Sequence, residues 1–142
     1  MKVVHLLQAK GAAVVTIAPD ASVADLVHRL VENNVGAAVV TADGSSVEGI
    51  VSERDVVRSL HKDPDTMLRR VDAIMTREPE TCTPESHTDD LMVVMTEQRV
   101  RHLPVIDTSG RLAGIVSIGD VVKNRIGELE FEREQLQNYL QH

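Results

Sequence analysis

The sequence aligns with itself when it is shifted by 65 residues, so that residues 16–57 lie over residues 81–122 without a gap. Fourteen of the 42 aligned pairs are identical, whereas ordinary composition gives about three identities by chance. Seven of the fourteen lie between Gly49 and Val57, so the match is concentrated in one segment. The chain is therefore an internal duplication, and its fold must contain two copies of one unit.

Each copy has the hydrophobic pattern of a β-α-β-β-α unit. A short extended segment ending in a proline precedes a helix, for which Ser22 is the predicted N-cap in the first copy. Two apolar runs separated by turn residues then predict a hairpin, and a second helix closes the copy. The predicted strands are residues 14–17, 36–41 and 47–51 in the first copy and 81–83, 103–106 and 112–116 in the second, with closing helices over 54–60 and from 120 onward.

These patterns predict an α/β (α+β) chain of two repeats, residues 1–62 and 63–126, followed by a C-terminal helical extension, residues 127–142. The second repeat shares a polar connector, residues 59–75, with the first. A three-stranded sheet with two helices has little core of its own, so we expect the two repeats to pack face to face.

A short lead-in helix is predicted before each repeat. Residues 71–76 are expected to lead into the second repeat, and residues 4–9 are expected to do the same for the first.

The net charge of −7, from 15 basic and 22 acidic residues, argues against a nucleic-acid partner, because that binding depends on basic surface. With one Phe, one Tyr and no Trp, a flat ligand would be held by aliphatic side chains and backbone. The single cysteine, Cys82, excludes an internal disulfide and fits a reducing compartment. The polar N-terminal residues and the lack of a long apolar run further predict a soluble, cytoplasmic protein with no membrane partner.

The motif Gly-Ile-Val-Ser-x-x-Asp ends the predicted hairpin of each copy, with Ser52 and Asp55 in the first and Ser117 and Asp120 in the second. One interpretation is a capped helix start, in which serine is the N-cap and aspartate favours the helix dipole. The other is a ligand site, in which aspartate accepts both hydroxyls of a ribose while serine and the helix amides face a phosphate. The two interpretations are compatible, and the spacing does not choose between them.

Two basic residues, Arg101 and His102, precede the first apolar strand of the second hairpin. They fit either a solvated strand edge or a phosphate contact. The first copy has Gly36 and Ala37 at these positions, so the fold itself does not require basic side chains there. A basic pair present in one copy only favours the phosphate interpretation.

The combination of Thr-x-x-Pro, Gly-Ile-Val-Ser-x-x-Asp and Arg-His-Leu-Pro-Val-Ile-Asp resembles the cystathionine-β-synthase (CBS) domain, and the pair resembles a Bateman module. The resemblance covers residues 1–126 and extends to stand-alone bacterial CBS-domain proteins. It implies two repeats packed about a pseudo-two-fold axis, with clefts that take adenosine ligands such as AMP, ADP, ATP, NAD or S-adenosylmethionine. It also implies that CBS pairs associate, here as a homodimer.

The resemblance assigns roles to individual positions. Asp55 and Asp120 match the ribose-binding aspartate, and Ser52 and Ser117 match the hydroxyl beside the phosphate. Further positions match the backbone that lines the adenine pocket or the apolar walls of the clefts: Thr16, Ile17, Ala18, Thr81, Thr83, Val35, Gly36, Ala37 and Ile115.

The basic pair has a role of its own in the resemblance. Arg101 and His102 match the residues before the Leu-Pro strand that reach phosphates. Because the first copy lacks this pair, phosphate binding through its strand is not expected, and Arg54 is the expected partial substitute in the first site.

The function that these features predict is a regulatory, signalling module that binds an adenosine nucleotide between its repeats. Two alternatives stay open, namely an S-adenosylmethionine sensor and a ligand-free module that acts through dimerisation or an unknown protein target. The sequence has no nucleophile–base pair, metal-ligand spacing or phosphate-transfer loop, so we expect no catalysis, metal or cofactor. The C-terminal helix, with a partial stripe of Leu129, Leu136, Tyr139 and Leu140, is predicted either to cap the core or to form a dimer contact.

Overall fold

Two repeats of mixed α+β structure follow one another along the chain, as the duplication predicts. The computed structural model describes residues 1–141, and His142, the last residue of the predicted extension, lies outside the described residues. The first half contains α1 (Val3–Lys10), β1 (Thr16–Ile17), α2 (Val23–Asn33), β2 (Ala37–Val40), β3 (Gly49–Ser52) and α3 (Glu53–Lys62). The second half contains β4 (Thr76–Arg77), α4 (Thr88–Gln98), β5 (His102–Ile106), β6 (Leu112–Ser117) and α5 (Ile118–Gln141).

The sheet of the first repeat has four strands in the order β1-β2-β3-β4. Strand β1 is parallel to β2, whereas β2 and β3 form the predicted antiparallel hairpin. The fourth strand comes from the connector and pairs with β3 through Gly49 and Ile50. Helix α2 begins where predicted, because the Ser22 hydroxyl accepts a hydrogen bond of 3.0 Å from the Asp25 amide, a typical N-cap.

The second repeat reproduces this arrangement with a shorter sheet. Strands β5 and β6 form the second predicted hairpin. Cys82 makes a parallel bridge to Val105, which is the Ile17–Val40 pairing of the first repeat shifted by 65 residues. The predicted strand at residues 81–83 is therefore present as a single bridge.

Each hydrophobic core is completed by the segment that precedes the other repeat. Val71 is buried in the core of the first repeat, with Ile74 and Met75 packed against it. Val3, Leu6 and Leu7 of α1 are buried in the core of the second repeat. The prediction that each lead-in serves the repeat that follows it is therefore wrong. Periodicity shows that a segment has an apolar face but not which surface that face will cover.

Backbone hydrogen bonds show that the exchange is reciprocal. The Val3 amide donates to the Ser86 carbonyl at 2.8 Å, and the Val71 amide donates to the Ala21 carbonyl at 2.8 Å. Ser86 and Ala21 are 65 residues apart, as equivalent positions of the duplication are. Residues 1–7 therefore hold the second repeat as residues 69–75 hold the first, which gives the pair its approximate two-fold symmetry.

The two lead-ins differ in secondary structure. The predicted helix at residues 71–76 is a short 3₁₀ turn, Val71–Ala73, followed by β4. Its counterpart α1 continues as a helix to Lys10. The connector therefore adds a strand beside β3, whereas α1 brings a lysine side chain to the equivalent edge of β6.

The closing helix of the second repeat is much longer than that of the first. Helix α5 runs without a break through 24 residues, whereas α3 has 10. The residues predicted as a C-terminal extension are the second part of α5. Only Val121 of this helix is buried, so the extension does not cap the core within the described residues 1–141.

Candidate functional site

The Ser-x-x-Asp motif of the first repeat forms the start of α3. The Ser52 amide donates to Asp55 Oδ2 at 2.8 Å, and the Ser52 hydroxyl accepts from the Asp55 amide at 3.4 Å. This reciprocal capping box satisfies amides that have no partner inside the helix. Asp55 Oδ1 accepts no hydrogen bond from residues 1–141, so this oxygen is available to a ligand.

The second motif has the same geometry at the start of α5. The Ser117 amide donates to Asp120 Oδ2 at 2.9 Å, and the Asp120 amide donates to the Ser117 hydroxyl at 3.1 Å. The capping interpretation is confirmed in both repeats. It does not exclude ligand binding, because a helix N-terminus with a cap also attracts anions.

A cleft of about 330 Å³, here called the first cleft, opens beside Asp55. This volume lies within the range of about 300–1,000 Å³ that is usual for small-molecule sites. Both repeats contribute to its walls. The lining includes Ser52, Glu53, Arg54, Asp55 and Arg58 from the first repeat, and Arg99, Val100, Arg101 and His102 from the second.

Four arginines reach the first cleft from two directions. Arg54 and Arg58 lie one turn apart on α3, and Arg99 and Arg101 lie in the turn between α4 and β5. Guanidinium groups recognise phosphate through paired hydrogen bonds. Glu53, Asp55, Glu78 and Glu80 line the same cleft, so its net charge is not positive. The arginines make it a candidate phosphate site through their paired hydrogen-bond donors.

Gly36 keeps the space between Glu53 and His102 open. A Cβ atom added at Gly36 would lie 3.3 Å from Glu53 Oε1 and 3.7 Å from His102 Cε1. Burial lowers the pKa of His102 below its ordinary value, and Lys10 and Arg101 lower it further. The carboxylates of Asp120 and Glu53 act in the opposite direction but do not reverse the effect.

Lys10 occupies the position beside the second motif. Its Nζ donates to Asp120 Oδ2 at 2.6 Å and to the Ile115 carbonyl at 2.9 Å. Burial alone would raise the pKa of Asp120, but the hydrogen bond and charge of Lys10, with the bonds from Ser117, hold it below its ordinary value. The Asp120 carboxylate thus already has a cationic partner, whereas that of Asp55 has none within the described chain.

The structure changes how the predicted site residues are grouped. Arg101 and His102 line the same cleft as Ser52, Arg54 and Asp55. The expectation that the first site lacks the basic pair is wrong, because the repeats face each other and the β5 edge of one borders the α3 start of the other.

The predicted adenine-pocket and wall residues fall into four groups. Gly36 lines the first cleft, whereas Ile17 and Ala37 are buried in the first repeat. The carbonyl of Ile115 accepts the bond from Lys10. The others lie outside the lining of the first cleft, and their ligand contacts stay predictions: Thr16, Ala18, Thr81, Thr83 and Val35.

Sequence reasoning missed Arg58, Arg99, Lys10 and Glu78. A helical spacing of four from Arg54 would have indicated Arg58. Glu78 and Lys10 follow Met75 and Leu7 by three residues, and these two side chains pack against Gly49 and Gly114 respectively. Only that equivalence, which comes from the exchanged lead-ins, shows that Glu78 near the first Ser-x-x-Asp motif corresponds to Lys10 near the second, with the opposite charge.

Residues 1–141 give little support for a nucleophilic cysteine, a metal site or a membrane-spanning helix. Burial raises the pKa of Cys82 to about 12, so its thiol is a poor nucleophile. Among the described residues no three His, Cys, Asp or Glu side chains are grouped as metal ligands. None of the helices in the same part of the chain is long and apolar enough to span a bilayer.

The CBS-domain family model matches the sequence twice, at residues 12–62 and at residues 71–127. The chain belongs to the CBS-domain family. The two matched segments correspond to the two repeats of the structure, so the chain is a CBS pair, or Bateman module.

Named and solved relatives agree with this assignment. The mitochondrial CBS domain-containing protein CBSX3 of Arabidopsis thaliana is 39% identical over an alignment of 127 residues that covers 86% of this chain. The CBS pair spans 61% of the length of that relative. A CBS-domain containing protein from Agrobacterium tumefaciens is 45% identical in its crystal structure, with a TM-score of 0.84, 88% of this chain covered and 99% of that chain.

A more distant CBS domain protein, from Pyrobaculum aerophilum, was solved in complex with AMP. It has a TM-score of 0.75 and is 24% identical, with 84% of this chain and 89% of that chain covered. At this identity the comparison shows a shared fold.

Proposed function

We propose that this CBS pair is a regulatory module that binds an adenosine nucleotide in the first cleft. The observation that carries the proposal is the meeting of the Asp55 carboxylate with four arginines in one cleft of about 330 Å³. The AMP complex of the Pyrobaculum protein supports the choice of ligand class. Cytoplasmic localisation and action on an unidentified protein target are part of the proposal.

The chemistry of the first cleft suits the three parts of such a ligand. Asp55 Oδ1 can accept ribose hydroxyls, because the cap bonds use Oδ2. The arginines and the amides at the start of α3 can hold phosphate. Ile50, Pro79 and Val100 supply apolar surface for the base in a cleft whose lining includes no Phe, Tyr or Trp.

A ligand in the first cleft would contact both repeats. Contacts with α3 on one side and with Arg99 and Arg101 on the other would favour the arrangement of repeats in which both are made. Differential affinity for two arrangements is the requirement for a regulatory response. The proposed module therefore reports nucleotide level through the relative position of its repeats.

Calorimetric titration with AMP, ADP, ATP, NAD, S-adenosylmethionine and adenosine tests the proposal. We expect the phosphorylated ligands to bind more tightly than adenosine, because only they engage the arginines. A response to S-adenosylmethionine alone would replace the nucleotide assignment with the sensor alternative. No binding by folded, ligand-stripped protein would favour the interaction-module alternative. Turnover of ATP or NAD during the titration would contradict a purely regulatory role.

Two matched variants locate the binding site. Asp55→Asn should weaken nucleotide binding roughly ten- to a hundredfold, the effect of losing a charged hydrogen-bond acceptor. Asp120→Asn is the matched comparison and should weaken binding less, because its carboxylate belongs to the same kind of capping box but binds Lys10 and acts on the first cleft only through its charge near His102. Equal affinity of Asp55→Asn and the unmodified protein would show that Asp55 does not hold the ribose.

A further inference from the structure

Helix α5 extends far beyond the core that it closes. Its 24 residues span about 36 Å, and residues 129–141 are all exposed. Large apolar side chains continue along this exposed part, with Leu136 63% and Leu140 81% accessible. Residues 129–141 therefore gain little stability from packing against their own chain.

The exposed apolar residues follow a heptad spacing. Starting from Val122, successive steps of four and three residues reach the positions of one stripe, here called the seam: Val122, Ile126, Leu129, Arg133, Leu136 and Leu140. Alternating steps of three and four are the spacing at which two helices pack along a coiled coil. In heptad notation Ile126, Arg133 and Leu140 are a positions, and Val122, Leu129 and Leu136 are d positions.

We propose that the seam forms a parallel, two-stranded coiled coil with α5 of a second copy of this chain. Isoleucine at a with leucine at d favours two strands, as at Ile126, Leu129 and Leu136. The flanking charges fit the same partner. In a parallel pair a g residue faces the e residue five positions later on the other helix. Arg125, which bonds Glu128 of its own helix at 3.0 Å, therefore also faces Glu130 of the second copy, twice by symmetry.

The opposite orientation is disfavoured by charge. An antiparallel pair that aligns the same apolar residues would place Glu130 opposite Glu130 of the second copy. It would also place Glu132 opposite its own equivalent. Like charges across such a seam are repulsive.

Arg133 fits a dimer better than a larger assembly. It is the charged a position between apolar layers, and a single polar residue at a fixes register and strand number at some loss of stability. In two strands its guanidinium can reach solvent beside the seam. The proposal concerns a surface that does not border the first cleft, so it does not depend on nucleotide binding.

Molar mass measured by light scattering on the full chain is the first test. We expect twice the 15.6 kDa chain mass at micromolar concentration, and a shift toward monomer for Leu136→Asp. The dissociation constant should rise at least about a hundredfold, because both helices lose a buried leucine. Phe131→Asp is the matched control, since Phe131 is 62% exposed on the opposite side of the same helix. Both side chains are exposed in the single chain, so neither change should unfold it.

Cysteine cross-linking tests the orientation. Leu136→Cys should form a disulfide between chains under mild oxidation, because equivalent d residues meet in a parallel pair, whereas Asn138→Cys at an f position should not. Native Cys82 is buried and does not compete. Three outcomes would overturn the proposal. The unmodified protein could be a monomer, or its dimer could be unaffected by Leu136→Asp. The third outcome is that Leu136→Cys cross-links only to an Ile126→Cys partner.

Discussion

His102 lies in the first cleft with charged groups on several sides. Asp120 and Glu53 favour its protonated form, while burial, Lys10 and Arg101 favour the neutral form and prevail. The imidazole is therefore neutral in the cleft at pH values above its ordinary pKa of about 6.5, and it stays neutral at pH values somewhat below 6.5. A phosphate bound nearby would add negative charge and shift this balance toward protonation.

The pH dependence of binding follows from that balance. Because the folded-state pKa is lowered, the neutral imidazole stabilises the fold fully above about pH 6.5, and this contribution is lost as the pH falls through the folded pKa. Phosphate binding should take up a proton at His102. When the pH is lowered from 8 to 6, we expect the AMP affinity of the unmodified protein to increase relative to that of His102→Gln by up to about tenfold. Calorimetry at both pH values measures this difference. Identical pH profiles for the two proteins would contradict this role.

The ion pair of Lys10 leads us to expect that only one of the two Ser-x-x-Asp motifs binds nucleotide. The Lys10 Nζ lies 2.6 Å from Asp120 Oδ2, so a ribose at Asp120 would have to displace an ion pair that a ribose at Asp55 does not meet. We expect one nucleotide per chain in the unmodified protein and two in Lys10→Met, from calorimetric stoichiometry. Lys123→Met is the control, because Lys123 lines a groove between α1 and α5 together with Lys10 and Asp120 but makes no hydrogen bond to Asp120 within residues 1–141. An unchanged stoichiometry in Lys10→Met would show that another feature closes the second site.

At the scale of elements, α1 precedes the first repeat in sequence but packs in the core of the second. Its apolar residues Val3, Leu6 and Leu7 recur at intervals of three and four and form one helical face. That face packs against the second repeat near Gly114, whose missing Cβ would lie 2.9 Å from Leu7 Cδ2. Helix α1 is thus both a core element of the second repeat and the carrier of Lys10.

Leu6→Ala tests this packing. Leu6 is 5% exposed, and truncating a buried leucine costs about 2–4 kcal/mol. Amide hydrogen exchange should accelerate in α4, β5 and β6 more than in α2 and β2, although the latter elements follow α1 in sequence. Leu60→Ala, at a position that is 42% exposed, should change exchange little. Faster exchange confined to α2 and β2 would contradict the exchanged packing.

At the scale of the whole molecule, the sequence predicts the elements and the motifs better than their partners. The hairpins, α2 with its Ser22 cap, and both Ser-x-x-Asp boxes follow from local spacing. The grouping of Arg101 with Asp55 depends on how the repeats face each other. Residues 1–7 and 69–75 have matching apolar positions at Val3/Val71, Leu6/Ile74 and Leu7/Met75. This pattern makes the segments equivalent but does not show which repeat each of them covers. Which segment packs in which repeat is decided only when the two hydrophobic cores form.

The reciprocal lead-ins also determine how the pair can be cut or joined. If the backbone were cut between α3 and residue 69, the first fragment would keep residues 1–7, which pack in the second repeat. The second fragment would keep residues 69–75, which pack in the first, so each fragment would complete the core of the other. Two copies of a single ancestral repeat that traded their leading segments would have this same arrangement, which is that of a swapped dimer. Gene fusion would then need to add only a linker, because the contacts that hold the two halves together would already be present between the separate chains.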